Sequence, residues 1–149
     1  MTTWTLPAPT PSDLGDHDIL PEGSHLAGRR VALLVTGGIA AMKIPLVARA
    51  LRRQGASVVA FTSKEAMRYV TAEALEWSTV SPVIQRLTAA AEHLSDGAPF
   101  DAYLLAPATY NSINKIAAGI ADGVVTSAAA VSRWITGLTV LHSSASAVT

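Results

Sequence analysis

Three short runs hold the residues best suited to grip a ligand: Thr36-Gly37-Gly38-Ile39, Thr62-Ser63-Lys64 and Pro107-Ala108-Thr109-Tyr110-Asn111. Each follows an apolar stretch and leads into a segment with helical spacing. A loop of that kind ends on a helix N-terminus, where backbone N–H groups lack partners and about half a positive charge is exposed. Gly37 and Gly38 let an anion approach the backbone, and Thr36, Thr62, Ser63 and Thr109 add hydroxyls. Together these read as a phosphate cradle. Alone, Thr36-Gly37-Gly38 reads equally as a tight strand-to-helix turn. It lacks G-x-G-x-x-G, because Ala41 takes the third glycine's place. It also lacks the Walker pattern, because Lys43 has no glycine before it and no Ser or Thr after it. A dinucleotide or nucleoside triphosphate is therefore disfavoured, and a mononucleotide-type phosphate stays open.

Acid–base candidates are few. Of the four histidines, His17 and His25 lie in a proline-rich N-terminal stretch and His142 lies near the C-terminus. His93 lies inside the domain, at the close of a helical segment. It reads either as a surface histidine favoured by the negative end of a helix or as a general acid/base near the ligand edge. No histidine or carboxylate spacing suits a metal, so none is expected. The absence of cysteine excludes a disulfide scaffold, a Cys-based zinc site and a cysteine nucleophile in this chain.

The elements that must carry these loops follow from periodicity. Arg30 to Val35 is apolar on both faces, as a central parallel strand is. Ile39 to Gln54 has helical spacing, with Arg52 and Arg53 at its negative end and Gly55 at C′. Pro45 inside it predicts a kink. Ser57 to Phe61 is a second strand, and Thr62 offers a capping box with Glu65 for a helix through Tyr69. Softer segments follow: a helix from Thr71 to Trp77, an edge strand from Val80 to Ile84, a helix from Gln85 to Leu94 and a loop from Ser95 to Pro99. Ala102 to Ala106 is a strong buried strand ended by Pro107. Helices are predicted over Asn111 to Ile120 and Val124 to Ile135, and a last strand over Leu138 to Leu141. This order is α/β with a parallel sheet.

The chain has 149 residues, 50% hydrophobic and 15% charged, which suits one domain. Eleven basic and eleven acidic residues leave no basic field for nucleic acid or anionic lipid. No apolar run reaches the roughly 20 residues of a membrane span, and the N-terminus does not read as a signal peptide. A cytoplasmic protein is the expectation. Formal neutrality does little to keep copies apart, so self-association is expected. Residues 1–28 hold four of the eight prolines and read as an irregular arm, disordered or draped over a neighbouring subunit. The domain proper then runs over 29–149.

The segments Val31 to Lys43, Thr62 to Val70 and Ala106-Pro107-Ala108-Thr109-Tyr110-Asn111, with Lys115, Gly119, Ile120, Ala121 and Asp122, closely resemble the homo-oligomeric flavin-containing cysteine decarboxylases. That family includes phosphopantothenoylcysteine decarboxylase and the lantibiotic peptidyl-cysteine decarboxylases. The resemblance spans about residues 29–127. It implies a Rossmann-like three-layer sandwich with a mainly parallel sheet, of flavoprotein type, binding FMN. Carried over, Thr36, Gly37, Gly38, Ile39, Thr62 and Ser63 belong to the cofactor site, where the first two loops hold phosphate and ribityl. Ala108, Thr109 and Asn111 line the isoalloxazine. The family has an active-site histidine shortly before the aspartate that opens the third strand, and His93 precedes Asp101 by eight positions. Its implied role is to act as base or to orient the substrate.

The implied reaction oxidises a small-molecule or peptide substrate ending in cysteine, which then loses CO₂ to give an enethiolate. A trimer or dodecamer is the implied assembly. The sequence departs from the family in several places. From about Ala128 onward it looks atypical, it has no P-A-M-N segment and no flap cysteine, and Tyr110 stands where the family has a small residue. An FMN-binding or assembly protein of the same fold without turnover is therefore the alternative. A flavin prenyltransferase-like protein is a third reading, although the usual G-A-S-G turn is absent.

Overall fold

The computed structural model describes residues 13–92, 99–132 and 138–140. Its centre is β1 (Arg30–Val35), and the lack of a polar face in that strand has a direct cause. Val31, Leu33 and Val35 point into one core while Ala32 and Leu34 point into another. Both faces are covered, so every second residue has no reason to be polar.

Around β1 lie β2 (Ser57–Thr62), β3 (Ala102–Leu105) and β4 (Leu138–Val140), in the order β2-β1-β3-β4 and all parallel. Arg30 pairs with Ser57 and Val35 with Thr62 on one side, and Val31 pairs with Ala102 and Leu34 with Leu105 on the other. The chain thus leaves β1 toward β2 and returns across it to β3. Loops from β1 and β3 diverge at that switch point and leave a crevice at the carboxyl edge of the sheet.

Among the described residues two α-helices cover each face, giving the expected three layers. On one side α1 (Ile44–Arg53) buries Ile44 and Ala48, one helical turn apart, and α2 (Ala72–Thr79) buries Leu75. On the other, α3 (Tyr110–Ala117) and α4 (Val124–Ser132) contribute Ile113, Ile116, Val125, Ala128 and Ala129. Ala128 and Ala129 are fully buried, and their small size lets α4 lie close against the sheet. No helix among the described residues is long and apolar enough to cross a membrane.

Several local expectations are corrected. Pro45 does not kink a long helix. Ile39–Lys43 is a separate 3-10 helix, and α1 begins at Ile44, so Pro45 sits in its first turn, where an N–H has no partner to lose. The cap after β2 is Ser63, which accepts from Ala66 N at 3.2 Å, and not Thr62. Thr62 is still paired with Val35 in the sheet and buried, so capping falls to the next residue. The following helix, Lys64–Arg68, is a short 3-10 segment. Val80 to Ile84 forms no full strand, and only Ile84 bridges to Phe61.

Gln85 through Glu92 is not helical. Thr88 bonds the Glu92 carboxylate through both its N–H and its hydroxyl, while the Ile84 carbonyl that a helical Thr88 N–H would need accepts from Thr62 N beside the sheet. His93, with Leu94 and the Ser95 to Ala98 part of the expected loop, lies outside the described residues, as do 133–137 at the close of the α4 expectation.

Residues 13–28 contain no helix or strand, and they lie on this chain's own α1. Glu22 and Gly23 donate to the Arg53 carbonyl, and Leu26 donates to that of Gln54. Arg49 and Arg52 in turn donate to the carbonyls of Asp18 and His17. The arm thereby satisfies the open carbonyls at the end of α1. Gly55 turns there with φ +92, and a Cβ would stand 2.9 Å from the Ala27 Cα, so glycine is required.

At the amino edge, Asp101 joins β1 to β3. Its carboxylate accepts from Arg30 N at 2.7 Å and from Arg29 Nη1 at 2.9 Å. The backbone bond from Arg30 and then the Arg29 side chain hold this carboxyl below its ordinary value of 3.8. A carboxyl depressed on folding stabilises the fold above its unfolded value and loses that contribution as pH falls through the folded one. The urea midpoint should therefore drop more steeply for the wild type than for Asp101→Asn as pH is lowered from about 5 to about 2. Parallel curves for the two proteins would refute this assignment.

Candidate functional site

The three loops marked by their chemistry meet at the carboxyl edge of the sheet, around a cleft of about 560 Å³. The β1 loop brings Gly37, the β2 loop brings Thr62 and Ser63, and the β3 loop with α3 brings Thr109 and Asn111. Thr36, Gly38, Ile39 and Ala108 stand in the same loops but not on the cleft wall.

Each has a visible reason for its place. The Thr36 hydroxyl is buried and donates to the Pro107 carbonyl, tying the β1 loop to the β3 loop. Ala108 is buried in the core beneath α3 and α4. Gly38 N–H is already bonded to Thr36 O at 3.0 Å. Ile39 is 70% exposed, on the outer side of the turn.

The two glycines, alike in sequence, differ in space. A Cβ on Gly37 would fall 2.3 Å from the Glu65 Cβ and 2.9 Å from its backbone carbonyl carbon. The β1 loop therefore packs directly on the first turn after β2, and only a residue without a side chain fits. A Cβ on Gly38 would meet Pro107 and Thr109 at 3.7 to 3.9 Å, ordinary contact. Its backbone is extended, with φ −144, which any residue adopts.

The hydroxyls also divide. Thr109 caps α3, accepting from Ser112 N at 3.4 Å, and its own hydroxyl donates to Ser112 Oγ at 3.0 Å. Ser63 Oγ accepts from Ala66 N, which leaves its O–H able to donate. Thr62 is 1% exposed, and its Oγ1 is buried without a hydrogen-bond partner on the cleft wall. A buried hydroxyl left so costs about 1–3 kcal/mol, which makes Thr62 the clearest polar atom in the cleft that a ligand would satisfy.

A fourth wall was not marked by the loop motifs. Lys115, Asp122, Gly123 and Thr126 also line the cleft. Lys115 Nζ bonds Asp122 Oδ2 at 2.7 Å. That bond holds the Asp122 carboxyl below its ordinary range. Lys115 and Asp122 are both in the run that carries the family resemblance, and Lys115 falls one helical turn after Asn111. That spacing was the available sign that it shares the cleft face. Lys64, Glu65 and Gln85 complete the opposite side. The cleft thus presents hydroxyls, the amides of Asn111 and Gln85 and paired opposite charges, a donor set suited to an oxyanion-bearing polar ligand.

A family model described as flavoprotein matches residues 19–140. The Coenzyme A biosynthesis bifunctional protein CoaBC of Thermococcus kodakarensis is 38% identical over 105 residues, covering 68% of this chain and 26% of that protein. The chain thus spans about a quarter of the length of the curated relatives it matches. Among solved structures, the FMN-dependent cysteine decarboxylase SpaF is 25% identical with a TM-score of 0.63, over 78% of this chain and 67% of that one. The dodecameric FMN-dependent Ubix-like decarboxylase of Escherichia coli O157:H7 has a TM-score of 0.67 at 21% identity, over 78% and 67% of the two chains.

The glycine contrast is open to measurement. Gly37→Ala should lower unfolding stability by about 1–3 kcal/mol, the usual penalty for forcing atoms into packed space. Gly38→Ala should stay within about 0.5 kcal/mol of wild type. Equal effects in urea unfolding would show that the packing on Glu65 is not what Gly37 serves.

Proposed function

The chain belongs to the flavoprotein family, and from that premise we propose that its cleft holds FMN and serves the oxidative decarboxylation of a cysteinyl substrate. The observation that carries the reading is the buried, unpartnered Thr62 hydroxyl on a cleft wall built from three strand-end loops. A phosphate oxygen accepting from Thr62 and Ser63 removes that penalty. The residues present therefore fit a phosphorylated cofactor. The likeness to CoaBC and to the FMN-dependent cysteine decarboxylase SpaF supports the same reading.

In this reading Thr62 and Ser63 hold the phosphate, and Gly37 keeps the β1 loop low enough to close over it. Gly38 and Ile39 continue that loop off the cleft wall, so any part they take in holding the cofactor is through the course of the loop, and Thr36 acts by holding the β1 and β3 loops together. Thr109 and Asn111 border the ring, and Ala108 supports their loop from the core beneath. When bound, FMN supplies the two-electron oxidation of the cysteinyl substrate that makes loss of CO₂ feasible. His93 orients that substrate or takes its proton. The cofactor domain runs over 29–149, with 1–28 as an appended arm. Self-assembly into a trimer or dodecamer belongs to the same reading. It is supported by the exposed apolar side chains of Ile39, Met42 and Leu46, which follow one another at helical spacing.

Purified protein incubated with FMN should retain it and absorb near roughly 450 nm, the isoalloxazine band. Failure to take up FMN would overturn the reading. His93→Ala should keep the flavin and lower CO₂ release from a cysteine-ended peptide by about 10²–10⁴-fold. Flavin uptake without CO₂ release from the wild type would leave the non-catalytic alternative.

A further inference from the structure

The cofactor reading leaves one wall of the cleft without a task. On α3, Ser112 and Lys115 line the cavity beyond Asn111, and Asp122 joins them from the segment before α4. Lys115 Nζ is bonded to Asp122 Oδ2 at 2.7 Å, while the two side chains keep 34% and 52% of their exposure. An exposed pair of this kind contributes little to stability, so stability is a poor reason for setting it on a cavity wall.

An ammonium has three donors and no acceptor. Asp122 engages one of them and fixes the position of the others. Asp122 is itself placed by the turn that starts α4. Thr126 Oγ1 lies 3.4 Å from Asp122 Oδ1, donates to Gly123 O at 3.0 Å and accepts from Gly123 N at 3.0 Å. Among the described residues, the other charges on the cleft wall are Lys64 and Glu65, of opposite sign and side by side on the β2 side. An independent observation marks the same cavity as a ligand site, namely the fully buried, unbonded hydroxyl of Thr62.

We propose that Lys115, held in place by Asp122, is a ligand-binding residue that donates a charge-assisted hydrogen bond to an oxyanion of the molecule occupying the cleft. The oxyanion is either the phosphate of the cofactor or the carboxylate of the substrate. Both present the same acceptor chemistry to an ammonium. The inference rests on the reading of the cleft as the cofactor and substrate site, and it adds a cation on α3, across the cleft from the Lys64 that the β2 loop supplies.

The test uses the full chain with Lys115→Met and Lys115→Arg, in high salt so that distant charges are screened. The probes are FMN, riboflavin, a cysteine-ended tripeptide and its C-terminal amide. If the phosphate is the partner, Lys115→Met weakens FMN by about tenfold or more and leaves riboflavin unchanged. If the carboxylate is the partner, both flavins bind as before and the tripeptide acid weakens by about the same factor while its amide does not. Lys115→Arg keeps the charge and should restore most of the affinity.

Equal loss of FMN and riboflavin, or no change with any probe, overturns the proposal. Should the wild type take up no flavin, the cofactor reading fails on its own. The proposal is then read from inorganic phosphate, which should raise the melting temperature of the wild type and not that of Lys115→Met. Equal shifts in the two proteins overturn it.

Discussion

The cleft depends on the contact that joins loops from opposite sides of the switch point. Thr36, at the end of β1, is buried and gives its hydroxyl to the carbonyl of Pro107, at the end of β3. On the other side of β1, Ser63 N donates to the Val35 carbonyl at 3.0 Å, and Gly37 lies against Glu65 with no room for a side chain. A parallel sheet holds its strands through the ladder, but the ladder stops where the strands stop. Beyond that point these contacts help to keep three loops at one place. Without them the hydroxyls and helix ends would be scattered along the sheet edge.

The same edge shows why polar atoms are tolerated there. Core residues on both faces of β1 exclude water up to Val35, and the next residues must satisfy their polar groups internally or toward a ligand. Thr36 does the first and Thr62 waits for the second. Ser63 and Thr109 lie between, since each caps a helix while standing on the cleft wall. The site is thus the region where the satisfaction of backbone and side chain passes from protein to ligand.

How far the chain was legible depended on how local each signal was. β1 and β3 were clear because a short run apolar on both faces, bounded by turn residues, fits a central parallel strand and little else. Gly55 was clear because a helix end with φ +92 strongly favours glycine. Pro45 misled because its meaning turns on whether the helix has already begun, and a 3-10 segment before Ile44 settles that differently from the apolar spacing. Gln85 to Glu92 misled because Ile84, just before it, gives its backbone N–H and carbonyl to β2 and so cannot start a helical ladder. Thr62 was named as a cap because of T-x-x-E, yet its pairing with Val35 kept it in the strand.

From residue order alone came the α/β class, the identity of the three loops and the resemblance to a flavin-binding family. These rest on periodicity and on short motifs, which are properties of neighbours along the chain. Which of two adjacent glycines is indispensable, which hydroxyl ties loops and which faces the cleft, and the presence of Lys115 and Asp122 on a fourth wall emerged in three dimensions. Those facts are set by residues far apart in sequence, Gly37 against Glu65 and Thr36 against Pro107. No local pattern encodes a contact whose partner is brought in by a strand crossing to the other side of the sheet.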